Sequence, residues 1–306
     1  MESRATSHEI MQTKRQIQQL LTSAGASPKK RLGQHFLIDL NLMRLLVDSA
    51  NINSNDIVLE VGCGTGSLTE ALIERAGMVL AVELDRTLSE ITKTQLVNAE
   101  NVEVINADIL ENKNTLSRTV TNSLESARKK YHGRILLVAN LPYNAASPTI
   151  LNLVTGSTVA DAMFVTVQKE VADRMIAAPA SSDYGTLSIF LSAVGHVKTI
   201  RVLKPTVFWP QPQVDSVMVS FVRDRAKLKR IENMELFSQT VHLFMGHRRK
   251  TLTACSKLAR GELAKIDNWP EIFEICSINP AQRPEQLGAE NYIAIANLSS
   301  GILTST

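Results

Sequence analysis

A short polar turn combines four chemical groups that could hold a flat ring bearing an amine. Asn140, Leu141, Pro142 and Tyr143 follow the apolar segment 135–139. They offer a side-chain amide, a carbonyl followed by a residue with no N–H, a rigid turn and an aromatic face. A plain strand-ending turn could have the same composition, so the rest of the chain must decide between the two interpretations.

A glycine-rich loop lies upstream of this turn, between an apolar segment and an amphipathic one. Ile57–Val61 is typical of a short buried strand, Gly62, Gly64 and Gly66 follow, and a helical pattern begins at Ser67. Glycines let the backbone approach a ligand closely because no Cβ intervenes. A strand, a glycine loop and a helix together predict a nucleotide-type cradle.

The spacing of the glycines separates two classes of ligand. A pyrophosphate at a helix N-terminus goes with G-x-G-x-x-G, whereas this loop reads G-x-G-x-G. The spacing therefore argues against a dinucleotide oxidoreductase. It favours S-adenosylmethionine, whose amino-acid end needs hydrogen bonds rather than neutralisation of phosphate charge.

Two further acidic residues end the next two predicted strands. Glu83 follows the apolar segment 78–82, and Asp108 follows the segment 102–106. A carboxylate in the position of Glu83 can accept hydrogen bonds from two ribose hydroxyls. Asp108 can accept a hydrogen bond from an adenine amine, with Ile109 packing on the ring. The glycine loop and both acids together favour a cofactor site over a tight structural turn.

Apolar strand segments alternate with helical ones over most of the chain. Further strands are predicted at 133–139, 162–167, 196–203 and 216–222, the last two as an antiparallel pair. Helical patterns without strands continue from about Glu235 to Leu298. The pattern predicts an α/β domain at 29–230 with a seven-stranded, mostly parallel sheet, after a flexible extension at 1–28. The rough helical spacing of Ile10, Ile17, Leu20 and Leu21 leaves a short helix within this extension as an alternative. A small all-helical domain is predicted at 231–306.

Charge is distributed unevenly although the net charge of the 306 residues is only +3. Residues 1–32 and 223–260 are strongly basic, which is typical of a protein that binds a polyanion. Arg248, Arg249 and Lys250 suit contacts with RNA phosphates, although a solvated charged face is an alternative. The three cysteines are too scattered for a disulfide framework or a zinc site. No membrane-length apolar run or signal peptide is apparent, so we expect a cytoplasmic protein.

A proline-rich loop presents two more aromatic side chains. Three prolines stiffen the segment 204–216, which contains Phe208 and Trp209. Exposed aromatic residues on a rigid loop are candidate stacking surfaces for a base. They could equally be apolar plugs.

The ordered motifs of this chain resemble the KsgA/RsmA-type small-subunit ribosomal RNA adenine-N6,N6-dimethyltransferases, which share a superfamily with the Erm-type enzymes. The resemblance implies a Rossmann-like class I methyltransferase domain, a helical RNA-binding domain, and S-adenosylmethionine as cofactor with S-adenosylhomocysteine as product. It also implies dimethylation of two adjacent adenines near the 3′ end of 16S rRNA, in the 30S subunit or its precursor, during ribosome biogenesis. The motifs are Gly33–Leu37, Glu60–Thr69, Val82–Asp85, Asn140–Asn144, Gln168–Val171, Phe208–Ser216 and Gly246–Leu252.

The same resemblance implies which residues line the cofactor. The Gly33–Leu37 segment of relatives folds over it, and His35 stands where relatives usually have Asn. No metal is expected, and we expect a monomer. The cofactor-binding residues expected from the resemblance and the spacing are Gln34, His35, Leu37, Glu60, Gly62, Gly64, Glu83, Leu84, Asp108, Ile109 and Asn140.

Two other functions fit parts of the pattern. An Erm-type 23S rRNA methyltransferase shares the chemistry, but the longer basic helical domain and the Asn-Leu-Pro-Tyr-Asn motif favour the small-subunit type. A ribosome-assembly or transcription factor of the same fold needs no catalysis, and the intact glycine loop and Asn140–Tyr143 turn argue against it.

The polar turn now predicts a mechanism. The lone pair of adenine N6 is delocalised into the ring, so the site must position the amine rather than deprotonate it strongly. The Asn140 side-chain oxygen and the Leu141 carbonyl would accept hydrogen bonds from N6, with Pro142 fixing the turn. Tyr143 and Phe208 would sandwich the ring. Catalysis would then be mainly positioning of a base that has left its stack.

Overall fold

The computed structural model describes residues 11–304 and contains the predicted alternation of strands and helices. The strands are β1 (Phe36–Leu37), β2 (Ile57–Val61), β3 (Met78–Glu83), β4 (Val102–Asn106), β5 (Leu110–Asn112), β6 (Thr115–Leu116), β7 (Ile135–Asn140), β8 (Ala162–Gln168), β9 (Gly195–Leu203), β10 (Phe208–Trp209) and β11 (Ser216–Arg223). The helices are α1 (Lys14–Ser23), α2 (Leu40–Ser49), α3 (Ser67–Ile73), α4 (Arg86–Gln95), α5 (Arg118–Arg128), α6 (Ala146–Thr155), α7 (Lys169–Ile176), α8 (Thr186–Val194), α9 (Arg225–Leu228), α10 (Met234–Met245), α11 (Leu252–Ser256), α12 (Trp269–Ile275) and α13 (Ala289–Thr304).

A seven-stranded sheet runs in the order β4-β3-β2-β7-β8-β11-β9. The five strands from β4 to β8 pair in parallel. Every residue of β2 is buried, as expected for a parallel strand covered on both faces. The predicted seven-stranded, mostly parallel sheet is confirmed.

Strand order determines where a site can form. The chain continues from β2 to its neighbour β3 on one side, and returns to pair β7 on the other side of β2. In open α/β sheets, ligands bind outside the carboxyl ends of the strands where the order reverses. That position lies between β2 and β7, at the glycine loop and the Asn140 turn.

The chain divides into two compact units whose bounds differ from the predicted domains. The first comprises Met1–Ala172 and Lys198–Phe221, and the second comprises Asp173–Val197 and Val222–Thr306. Residues 173–197 belong to the second unit because the apolar helix α8 packs there. Phe190 of α8 meets Phe237 of α10 edge to face, with ring centroids 5.5 Å apart.

The N-terminal segment also differs from the predicted flexible extension over its described part. Residues 14–23 form α1, which buries Ile17 and Leu21. The helix begins at a capping box, in which Thr13 and Gln16 satisfy each other's backbone N–H groups. The prediction for residues 1–10 lies outside the described residues. No helix in the described part of the chain is long and apolar enough to span a membrane.

Candidate active site

A cleft of about 260 Å³ lies in the first unit at the carboxyl ends of β2, β3 and β7. The structure brings together there nearly all the residues predicted to hold the cofactor and the target base. The predicted residues that line the cleft are Gln34, His35, Leu37, Glu60, Gly62, Gly64, Glu83, Leu84, Asp108, Ile109, Asn140, Leu141, Pro142 and Tyr143.

The glycine loop requires its glycines for two separate reasons. Gly62, Gly64 and Gly66 have φ values of 79°, 62° and 89°, in the left-handed region. A Cβ on Gly62 would also lie 2.9 Å from Cγ of Pro142. The loop and the Asn140 turn are therefore in direct contact, and the shape of one constrains the other.

Replacing Gly62 with alanine tests that contact. We expect a loss of about 1–2 kcal/mol in stability from the left-handed backbone alone. A further loss of affinity for the predicted methyl donor, and of the predicted activity, is expected because the new Cβ pushes on Pro142. Gly261→Ala is the matched control, since Gly261 has φ 58° and nothing within 4 Å of an added Cβ. Equal effects of both substitutions on donor binding, measured by calorimetry, would contradict the contact's role.

Glu83 fixes the loop from the end of β3. Its carboxylate accepts hydrogen bonds from the Gly64 N–H (2.9 Å) and the Asp85 N–H (2.8 Å). Burial raises the pKa of this carboxyl group, partly offset by the hydrogen bonds from Asp85 and Gly64. A carboxylate has about four acceptor sites, so Glu83 can also accept a hydrogen bond from a ligand hydroxyl.

The Gly33–Leu37 segment is tied to the same strand end through Asp85. Gln34 donates a hydrogen bond to Asp85 (3.1 Å), and Lys29 forms an ion pair with it (2.7 Å). Burial alone would raise the pKa of Asp85, but the partners Lys29 and Gln34 outweigh burial and lower it. The predicted segment over the cleft is thus held by the hydrogen bond of Gln34 to Asp85, a buried carboxylate that also pairs with the partly exposed Lys29.

Glu60 lies behind the glycine loop and is 2% exposed. Thr69 Oγ1 donates a hydrogen bond of 2.6 Å to its carboxyl group. Burial raises the pKa of Glu60 to about 8, outweighing the Thr69 hydrogen bond, and the charge of Glu83 raises it further. Glu60 is therefore largely protonated at neutral pH in the protein without ligand.

Asn140 has one half of its amide satisfied and the other half without a partner. Its Nδ2 donates to the carbonyl of His35 at 2.7 Å, which fixes the orientation of the amide. Its Oδ1 is buried and has no hydrogen-bond partner among the described residues. A buried acceptor left unpaired is uncommon and costly, and points to a group that arrives later.

Tyr143 has an aromatic partner that the sequence did not predict. The His35 ring stacks on it with centroids 5.3 Å apart and planes 28° apart. His35 Nδ1 donates to the Pro210 carbonyl at 2.6 Å, and the Tyr143 hydroxyl pairs with Ser216 at 2.8 Å. This separation is that of a direct ring pair, so no third ring fits between the two.

Phe208 is buried, whereas the sequence predicted an exposed aromatic side chain on the proline-rich loop. It is 1% exposed and belongs to the hydrophobic core of the first unit. Strand β10 pairs with β1, placing Phe208 opposite Leu37 and Trp209 opposite Phe36. Phe208 therefore does not line the cleft in this structure, and its place in a base sandwich with Tyr143 stays a prediction.

The rim of the cleft is formed by residues after β3 and β4. Leu84 is 50% exposed, whereas Ile109 is buried. The exposed Asp108 carboxylate accepts a hydrogen bond from the Leu110 N–H at 3.0 Å. An apolar rim with one exposed carboxylate suits a ring that carries an amine.

Sequence reasoning missed Ile17, which lines the cleft from α1. The available signal was the Thr13–Gln16 capping box followed by apolar residues at Ile17, Leu20 and Leu21. That pattern indicates a folded amphipathic helix rather than a flexible extension.

The predicted RNA-contacting residues lie in the second unit. Arg248 pairs with Glu285 through contacts of 2.9 and 2.8 Å. Arg249 and Lys250 are exposed. The two exposed side chains can reach a polyanion, while the Arg248 guanidinium is partly committed within its unit.

Sequence comparison finds the same family over most of the chain. The model of the ribosomal RNA adenine dimethylase family matches residues 25–294. Ribosomal RNA small subunit methyltransferase A from Alkaliphilus oremlandii is 39% identical over 272 residues, which is 88% of this chain and 90% of the relative. The protein of that name from a Geobacillus species is 34% identical over 93% of this chain and 96% of the relative.

Solved structures share the fold. A dimethyladenosine transferase from Plasmodium falciparum superposes with a TM-score of 0.67 at 23% identity, covering 86% of this chain and 97% of that one. The 23S rRNA methyltransferase ErmE superposes with a TM-score of 0.58 at 20% identity, covering 86% and 98%. The family model and the relatives above 30% identity confirm the resemblance, and the chain belongs to the ribosomal RNA adenine dimethylase family.

Proposed function

We propose that this protein transfers methyl groups from S-adenosylmethionine to N6 of two adjacent adenines near the 3′ end of 16S rRNA, within the 30S subunit or its precursor. The observation that carries the proposal is the buried Oδ1 of Asn140 beside the glycine loop, which has no hydrogen-bond partner in the described part of the chain. Membership of the family supports the chemistry. The choice of small-subunit RNA is supported by the names of the relatives at 34–39% identity.

The residues of the cleft fit the proposed methyl donor. The glycine loop offers a cradle that a Cβ would fill, and Glu83 keeps lone pairs for ribose hydroxyls. Asp108 and Ile109, which line the cleft, would hold the amine and the face of the donor's adenine. When bound, S-adenosylmethionine supplies an electrophilic methyl group on a sulfonium.

The Asn140 turn would serve the acceptor amine. Asn140 Oδ1 and the Leu141 carbonyl accept hydrogen bonds from the two N–H groups of N6, which directs the nitrogen lone pair toward the methyl group. No strong base is required, because positioning supplies the rate enhancement. The base enters after His35 and Tyr143 separate, or stacks on the face of Tyr143 that His35 leaves uncovered. The monomethylated amine has one N–H left, so the second methyl transfer needs only one acceptor. Asn140 Oδ1 and the Leu141 carbonyl can therefore serve both transfers.

The second unit would bind RNA phosphates through Arg249 and Lys250, which are exposed, with Arg248 beside them. Such contacts position the RNA without reading its sequence. We also propose that the protein acts as a monomer in the cytoplasm. Size-exclusion chromatography with light scattering checks the oligomeric state.

Labelled methyl transfer tests the proposal. The protein is incubated with methyl-labelled S-adenosylmethionine and either 30S subunits lacking these methyl groups, or protein-free 23S rRNA. We expect label in the 30S reaction, as N6,N6-dimethyladenine in the 3′-terminal fragment of 16S rRNA. Label only in 23S rRNA would support the Erm-type function instead. Label in neither RNA would support a factor without catalytic activity.

A further inference from the structure

Gln12 binds the glycine loop although it lies before residues 25–294, the part of the chain that the family model matches. It is 5% exposed. Its Nε2 donates to the Thr65 carbonyl (2.9 Å), and its Oε1 accepts from Thr65 Oγ1 (2.7 Å). Its backbone N–H donates to Ser67 Oγ (2.9 Å), and Nε2 also contacts Glu70 Oε1 (3.1 Å). One side chain thus binds both the carbonyl and the hydroxyl of Thr65.

Thr65 connects Gln12 to the cleft. It lies between Gly64 and Gly66, which both have positive φ, and it lines the cleft. Glycines give a loop many accessible backbone conformations. A loop of this composition binds tightly only if something else selects its binding conformation beforehand. Gln12 supplies two buried hydrogen bonds at the centre of the loop.

The helix that follows Gln12 forms part of the same wall. Ile17 of α1 lines the cleft. It packs in one cluster with Leu21 of the same helix and with Leu88 and Ile91 of α4. The segment therefore contacts the cleft at two points, one polar and one apolar, and helix packing holds Gln12 in place.

We infer that Gln12 is a positioning residue for methyl-donor binding, acting through Thr65 to hold the glycine loop in its binding conformation. The inference rests on the proposed function, because it assigns the loop to the methyl donor. Gln12 acts before the chemical step. Its loss should therefore weaken donor binding and leave the rate of methyl transfer at saturating donor nearly unchanged.

Calorimetric titration of the full-length protein with S-adenosylmethionine tests the inference. We expect Gln12→Ala to raise the Kd about tenfold, with KM for the donor rising similarly and kcat staying within about twofold. Gln19→Ala is the matched control, because Gln19 is an exposed glutamine on the adjoining helix. Its Kd should equal that of the wild type. Gln12→Met, which keeps the side-chain length, replaces the alanine variant if that variant does not fold.

A double-mutant cycle separates positioning from general stabilisation. Thr65→Val removes the hydroxyl that donates to Gln12 and preserves the shape of the side chain. If Gln12 acts through Thr65, the double variant should bind the donor within about threefold of the weaker single variant. If the Kd of the double variant instead rises by the product of the two single increases, the two residues act independently. That result would overturn the inference.

Three other outcomes are decisive and distinct from one another. A lower melting temperature for Gln12→Ala with an unchanged donor Kd would make Gln12 a structural residue only. Failure of the wild-type protein to bind S-adenosylmethionine at all would instead remove the proposed function, and the inference with it. Donor binding without methyl transfer to RNA would leave the inference standing while the proposed function fails.

Discussion

Replacement of Asn140 by alanine is expected to lower methyl transfer to adenine N6 by about 100- to 1,000-fold, the usual effect of removing one preorganised hydrogen-bonding group at a reacting atom. Binding of S-adenosylmethionine should change by less than about tenfold. The reason is that Asn140 Oδ1 lines the cleft without a hydrogen-bond partner among residues 11–304, so the incoming amine would supply one. The contacts that the glycine loop and Glu83 would make with S-adenosylmethionine remain in the variant.

Single-turnover transfer to 30S subunits is the appropriate measurement, because it isolates the chemical step from product release. Donor affinity is measured in parallel by calorimetry. Turnover of Asn140→Ala within about threefold of the wild type would exclude the role of this residue as acceptor.

Asn140→Asp distinguishes the two ends of the amide. The aspartate keeps an acceptor oxygen for the amine, but it loses the donor that binds the His35 carbonyl at 2.7 Å. We expect Asn140→Asp to retain at least tenfold more activity than Asn140→Ala. Equal loss in both variants would mean that the contact with His35, rather than the acceptor oxygen, carries the effect.

The convergence of Asn140, Glu83 and the glycine loop was predictable from the sequence for a simple physical reason. Parallel strands buried on both faces appear as continuous apolar segments, and their carboxyl ends meet at one edge of the sheet. A polar residue directly after such a segment is therefore placed at the site. Backbone positions at the site can thus be located from the order of apolar segments alone, whereas side-chain contacts cannot.

Phe208 shows where that reasoning stops. It lies in a two-residue strand, β10, too short to reveal by periodicity which side chain faces the core. Pairing with β1 turns Phe208 inward. The partner of Tyr143 is instead His35, more than a hundred residues earlier in the chain, a contact that no local pattern encodes.

The N-terminal segment illustrates a different limit. Its helix is short, and on its own it would be only marginally stable. Burial of Ile17 and the bonds of Gln12 to Thr65 and Ser67 supply the stabilisation. Since these contacts join residues more than fifty positions apart, sequence reasoning could detect the capping box but not what the helix packs against.

Glu60 is expected to make both stability and donor binding depend on pH. Its pKa is raised from 4.5 to about 8, mainly by burial. Because the pKa of Glu60 is higher in the folded than in the unfolded state, the folded state holds its proton more tightly. Loss of that proton therefore favours the unfolded state. The folded protein therefore loses stability as pH rises from about 4.5 to about 8, and the loss is complete above that range. The loss in the free energy of unfolding is a few kcal/mol, since each unit of pKa difference corresponds to about 1.4 kcal/mol.

Glu60→Gln mimics the protonated acid and cannot ionise. We therefore expect the free energy of unfolding of this variant, relative to the wild type, to rise between pH 5.5 and pH 9. Denaturant unfolding at both pH values gives the difference. Glu90→Gln is the matched control, because Glu90 is exposed and pairs only with the exposed Lys93 in the described residues. The same pH dependence in both variants would contradict the assignment to Glu60.

The methyl donor extends this argument to binding. S-adenosylmethionine carries positive charge on its sulfonium and its ammonium group, and Glu60 lines the cleft that would hold it. A cation in a buried site favours the ionised carboxylate and lowers its pKa. Binding at pH 7 should then release close to one proton, and affinity should increase as pH rises toward 8.

Calorimetry in two buffers of different ionisation enthalpy measures the protons released. Proton release should fall toward zero in Glu60→Gln and persist in Glu90→Gln. Full release in Glu60→Gln would instead assign the proton to Glu83, the other buried carboxyl group of the cleft with a raised pKa.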